Sequence, residues 1–303
     1  MKYTKPALSF QQQAQRLIER GLLVSNPTQL ADHLSQVNYY RLSAYWYPFK
    51  RVDPETGTET FAPGTSFEMI WQRYTFDREL RLLVMGAIEH IEVALLHTRM
   101  VEQFTLLHGP FGYADLKNFN PKFNVVSHRR LISELNESEK HSKEKFIGRF
   151  RGKYTSEPYL PLWVAAEIMT FGQLFTFFRF LHRAEQKSLA YQFGLFPPVL
   201  ESWLFTLNFI RNVCAHHARL WNRELPIRPL LPDERHNPEW HSPAKIDNKR
   251  PFAVLTLLQY LLNQLDGTNH WKDRLENLLA KYPEIPIRLI GFPSNWRDCP
   301  IWK

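Results

Sequence analysis

Apolar residues return every three to four positions along most of this chain, the period of an α-helix that buries one face. The clearest stretch follows Pro197-Pro198. There Leu200, Trp203, Leu204, Leu207, Ile210, Cys214, Ala218 and Trp221 fall on one side of a helix expected over residues 200–221. Two more long helices are expected over residues 67–107, with Gly86 as the candidate bend, and over residues 162–181. Ser9 with Gln12 reads as a capping box for a first helix that Gly21 stops. Asn26-Pro27-Thr28 opens a second, carrying Leu30 and Leu34, and Thr65-Ser66-Phe67-Glu68 reads as a further capping box. The tail predicts an apolar helix over residues 252–265 and a short one near 275–282. Residues 52–64 hold Pro54, Gly57 and Pro63, and read as a loop or a short hairpin. The expectation is an all-α protein.

At 303 residues the chain is long enough for a large core in one domain or two. The division expected is an N-terminal helical region with an aromatic cluster over 1–64, a helical core over 65–230 and a C-terminal helical extension over 231–303, free to pack together. The formal net charge of +8 favours an anionic partner, of which nucleic acid is the commonest. Two cysteines, Cys214 and Cys299, make no disulfide framework and suit a reducing cytosol. The first residues carry no signal-peptide apolar core, and no apolar run approaches the roughly 20 residues that span a bilayer. A cytoplasmic protein without membrane association is expected. With no C-x-x-C pair, no H-E-x-x-H, no Walker loop and no G-x-G-x-x-G, neither a metal nor a cofactor is expected.

The stretch Arg211-Asn212-Val213-Cys214-Ala215-His216-His217 has the form R-x-x-x-x-H, with Asn after the Arg. A guanidinium grips a phosphate as a planar fork, and an imidazole moves protons near neutral pH. Those two groups are what metal-free cleavage of RNA needs, although the spacing alone also fits a surface Arg and an ordinary His. His216 points away from the apolar stripe, Asn212 lies one turn before it, and Arg211 borders the stripe. An Arg there needs an acid or a polar cleft; Glu89 and Glu92 are the candidate acids. Five positions put Arg211 and His216 about 140° apart on an ideal helix. Two copies across a two-fold axis bring both onto one phosphate, so a homodimer is expected.

Two further stretches have alternative meanings. Residues 38–49 form an aromatic knot around one cation, with Tyr40 and Arg41 as a platform for RNA bases or as part of a packing cluster. Residues 121–154 are basic, and Arg129, Arg130, Lys143, Lys145 and Arg149 suit an RNA-backbone track or a solvated helix face.

Several segments, in order along almost the whole chain, resemble the Abi-like (AbiD/AbiF) abortive-infection family. They are Tyr40-Arg41-Leu42-Ser43-Ala44-Tyr45-Trp46, Tyr74-Thr75-Phe76-Asp77-Arg78-Glu79-Leu80-Arg81, Pro161-Leu162-Trp163 through Phe171-Gly172, Ile210-Arg211-Asn212 through Leu220-Trp221-Asn222, and Gly291-Phe292-Pro293 to Trp302. An Arg expected near Leu96 is missing. The resemblance implies a HEPN-type helical bundle with additional helices at both ends. It also implies a metal-independent endoribonuclease toxin of phage defence, associated with a small structured RNA. Carried over, Arg211 binds the scissile phosphate, Asn212 orients, His216 is general acid or base, and His217 is structural. A non-catalytic RNA-binding protein of a defence ribonucleoprotein is the alternative.

Overall fold

The computed structural model describes Lys2, Thr4 and residues 6–303; Met1, Tyr3 and Lys5, part of the segment read for a signal peptide, lie outside the described residues. Among the described residues the chain is all-α, as expected, apart from one small hairpin. Three short helices, α1 (Phe10–Glu19), α2 (Pro27–Val37) and α3 (Tyr39–Trp46), lead into β1 (Lys50–Val52) and β2 (Glu59–Phe61). A long helical rod follows: α4 (Phe67–Ile91), a π-helical stretch (Glu92–Met100) and α5 (Val101–His108). Then come α6 (Val125–His141), α7 (Lys145–Lys153), α8 (Leu162–Ala165), α9 (Phe171–Phe180), α10 (Arg183–Tyr191) and α11 (Pro197–Ala215). The tail supplies α12 (Pro251–Leu265), α13 (Trp271–Lys281) and closing 3₁₀ turns.

Helix α4 is the central post, packed by α3, α11, α12 and α13. Helix α12 is buried at every residue from Pro251 to Leu262, because it is apolar all round and neighbours enclose it. The tail seals the far side of α12: Trp302 stacks on Phe252, and its indole donates to Thr256 Oγ1 at 3.2 Å. Buried residues form one continuous cluster from Ala14 to Trp302.

The Ser9–Gln12 capping box forms, and Asn26 caps α2 with Pro27 in its first turn. Four expectations need correction. The box expected over Thr65 to Glu68 does not form. Ser66 is the N-cap and accepts from Met69 N, Thr65 donates its hydroxyl to the Ala62 carbonyl, and Glu68 accepts from Ser25. The irregularity in the 67–107 rod is not at Gly86, which stays inside α4. It is the π-helical stretch, where Thr98 donates its hydroxyl to Val93 O, five residues back. Leu96, where an Arg was missed, is fully buried there. The helix expected over 162–181 is two helices, because Thr170 and Gln173 form a capping box that starts α9 afresh. Residues 50–61 are a hairpin, pairing Lys50 with Phe61 and Val52 with Glu59. The fourth correction, the end of α11, shapes the candidate site.

Candidate functional site

Helix α11 begins at the prolines, which fit its first turn because their missing N–H groups would have no partner there. Its expected stripe is buried from Leu200 through Cys214. The helix then stops at Ala215, well before the Trp221 expected. His216 is the C-cap and His217 turns left-handed at φ 56°. Ala218 N donates to Val213 O at 2.9 Å and His217 N to Cys214 O at 3.0 Å. Those two bonds are a Schellman close, with histidine in the position glycine usually takes. Trp221 therefore reaches the core from a loop, not from the helix.

Asp77, on α4 and 0 % exposed, holds that loop. Its carboxylate accepts from Tyr45 Oη at 2.6 Å, Trp221 N at 2.6 Å, Leu220 N at 3.2 Å and the Arg81 guanidinium. Burial pushes the Asp77 carboxyl up from its ordinary range, and Arg81, Tyr45 and the two amides pull it back. Two reciprocal clamps join α3 to the same loop. Arg41 donates to the His217 carbonyl at 2.9 Å, and Arg219 donates to the Ala44 carbonyl at 2.8 Å. Arg73 lies over the Phe49 and Trp221 rings at 4.1 and 5.1 Å, and Arg223 Nε donates to Arg219 O at 2.7 Å. Among the described residues Arg41, Arg73, Arg219 and Arg223 form no ion pair with a carboxylate. The one acid at the centre is already shared by Arg81 and three other donors, so the surroundings of the loop carry an excess of positive charge.

The loop and α3 enclose an open cleft of about 420 Å³ lined by Tyr40, Arg41, His216, His217 and Arg219, with Asn38 at its edge. His216 and His217 are exposed and Tyr40 is 79 % exposed, whereas Leu42, Tyr45 and Trp46 are buried. The aromatic knot thus divides into a packed half and an open half. Tyr40, Arg41 and His216 come together. Arg211 does not line this cleft. It is half-buried, and neither expected acid reaches it: Glu89 is exposed, and Glu92 lies 3.9 Å from His97. Arg211 forms no ion pair among the described residues. Asn212 is exposed, and its carbonyl accepts from His216 N at 2.9 Å. Cys214 is buried, with its thiol pushed up to about 12 by that burial, so it does not converge with His216 and His217.

The basic run lies apart from the His216 cleft, on α6 and α7. Arg130 pairs with Glu134 at 2.8 Å, and Arg151 is held by Glu139 and by the Glu157 carbonyl. Arg129, Lys143, Lys145 and Arg149 are exposed without an acid partner among the described residues. Asp77, Arg81 and Arg219 were missed from the sequence. An Asp and an Arg four apart in an apolar helix was the available signal for the first two.

No curated protein and no solved structure matches the chain. The model of a protein family described as Abi-like protein matches residues 32–222, which include α3, Asp77, α11 and the loop that closes the His216 cleft. That match covers well over half of the sequence, and the chain belongs to the Abi-like protein family.

Proposed function

We propose that this chain is a metal-independent RNA endonuclease of the HEPN type that acts in abortive infection. The observation that carries this is the placement of His216. It is an exposed residue whose backbone is held at the C-cap of α11, in a cleft that arginines line and, among the described residues, no carboxylate does. Membership of the Abi-like family supports the defence role against phage.

The chemistry suits these groups. A base takes the proton of a ribose 2′-hydroxyl, whose oxygen attacks the adjacent phosphorus. The bond to the 5′-oxygen breaks, and an acid protonates that oxygen. The products are a 2′,3′-cyclic phosphate and a 5′-hydroxyl. His216 serves as base or acid, each role being typically worth about 10²–10⁴ in rate. Arg211 holds the charged phosphorane, and the Asn212 side chain orients one of the two. Arg211 stands outside the His216 cleft, so a second copy supplies the complementary group across a two-fold axis. RNA is then substrate, and a small structured RNA is the resident partner, held by Arg129, Lys143, Lys145 and Arg149.

The test is cleavage of one RNA in EDTA by the parent, His216→Ala and Arg211→Ala, with mapping of the ends and light scattering of the assembly. Both variants are expected to lose cleavage at least about 100-fold, and host toxicity with it, while still binding RNA. Undiminished cleavage by His216→Ala, or loss of the parent's cleavage on chelation, rejects the mechanism. The separation of Arg211 from the His216 cleft in one chain favours a second reading, a non-catalytic RNA-binding protein. A monomer that binds RNA and never cuts it would establish that one.

A further inference from the structure

Two clefts meet at Tyr40. The first is the His216 cleft. The second, of about 410 Å³, runs between α1, the start of α3 and the hairpin, and it shares Asn38 and Tyr40 with the first. Its cations are Arg16, Arg20 and Lys50. Glu59 lies 3.3 Å from Arg20 and 2.9 Å from Lys50, so one carboxylate faces two cations, and Arg16 forms no ion pair among the described residues. The two linings together therefore carry more cations than carboxylates, with Glu59 bound between Arg20 and Lys50.

The backbone of the ridge between the clefts is held by a helix cap. Asn38 sits at φ 71° between α2 and α3, and its side chain accepts from Tyr40 N at 2.9 Å. This fixes the backbone of Tyr40 while leaving its ring 79 % exposed, with Tyr39 edge-on behind it at 5.9 Å. Beside that ring, Arg41 and Arg219 each donate one hydrogen bond to a carbonyl. A guanidinium carries five N–H donors, so most remain for a ligand.

The geometry points to a path for a single, unpaired RNA strand across this ridge: a base stacks on Tyr40, Arg41 and Arg219 grip the neighbouring phosphate next to His216, and the strand continues past Asn38 to Arg16, Arg20 and Lys50. This rests on the RNA reading above and adds the form of the substrate and its direction through the molecule. A duplex is excluded by the same logic, because a base can stack on an exposed ring only when it is unpaired. The phosphate held by Arg41 and Arg219 is a positioning contact. Its loss raises KM more than it lowers kcat.

The test uses full-length protein carrying His216→Ala, so that bound RNA stays whole. Fluorescence anisotropy reads binding of a labelled oligoadenylate, alone and annealed to oligouridylate. The unpaired strand is expected to bind at least tenfold more tightly. Tyr40→Ala should weaken it roughly tenfold, the typical worth of one stacked base, and Tyr40→Trp should retain it. Arg16→Ala should reduce the salt slope by about one. Tyr40 is exposed and its ring makes no hydrogen bond among the described residues, so these variants fold. If the protein binds RNA but Tyr40→Ala or pairing of the strand changes nothing, the strand path is wrong and the RNA reading stands. If neither form of RNA binds, both fall.

Discussion

Removing the Asp77 carboxylate should unfasten the loop that carries His216. In Asp77→Ala, Arg81 becomes a buried charge without its partner, and breaking such a pair typically costs about 3–5 kcal/mol. The amides of Leu220 and Trp221 and the Tyr45 hydroxyl lose their acceptor as well, and a buried donor left unpaired costs about 1–3 kcal/mol. These losses overlap, since water entering the gap serves several donors at once. A total near 5 kcal/mol is expected, against a typical domain stability of about 5–15 kcal/mol. Asp77→Asn keeps one carbonyl oxygen for the two amides but turns an amino group towards Arg81, so about 2–3 kcal/mol is expected. Urea denaturation followed by tryptophan fluorescence measures both, because Trp221 sits in the affected loop. Pairing Asp77→Ala with Arg81→Met removes the orphaned charge and should recover part of the loss. A cost below about 1 kcal/mol for Asp77→Ala, or no recovery in the pair, would refute the idea that this carboxylate organises the loop.

Three smaller perturbations probe other parts of the same account. His217→Gly relieves a left-handed residue at the end of α11 and should stabilise the protein by up to about 1 kcal/mol; a loss of thermal stability would mean that the imidazole makes a contact of its own. Cys214 and Cys299 are both buried with thiols pushed upward, Cys214 to about 12, so the thiolate is scarce at pH 8. Ellman's reagent should therefore label native protein slowly and two thiols in urea, and rapid native labelling would show that the α11 terminus opens. Replacing Lys143, Lys145 and Arg149 together with Ala should lower the salt slope of RNA binding by about two to three units while leaving the fold intact, and an unchanged slope would make α6 and α7 a solvated surface.

The periodic stripe of α11, the capping box at Ser9 and the Asn26-Pro27 start of α2 were readable from the chain alone. Each depends on groups within one or two turns of each other, so the local order of residues determines it. The chemistry that the charged and aromatic candidates can offer was also readable, since residue type does not depend on the fold. Their grouping does. Tyr40 and Trp46 belong to the same aromatic run, and only packing against α4 and β2 decides that Trp46 is buried and Tyr40 open. No glycine marks the end of α11. It stops at Ala215 because tertiary contacts hold the residues beyond it: Asp77 accepts from the Leu220 amide 143 positions away, and Arg41 donates to the His217 carbonyl 176 positions away. A carboxylate that gathers a phenol, a guanidinium and two amides is a property of the assembled core, where leaving any of those donors unpaired is costly. The chain supplied the donors, and long-range packing chose the acceptor.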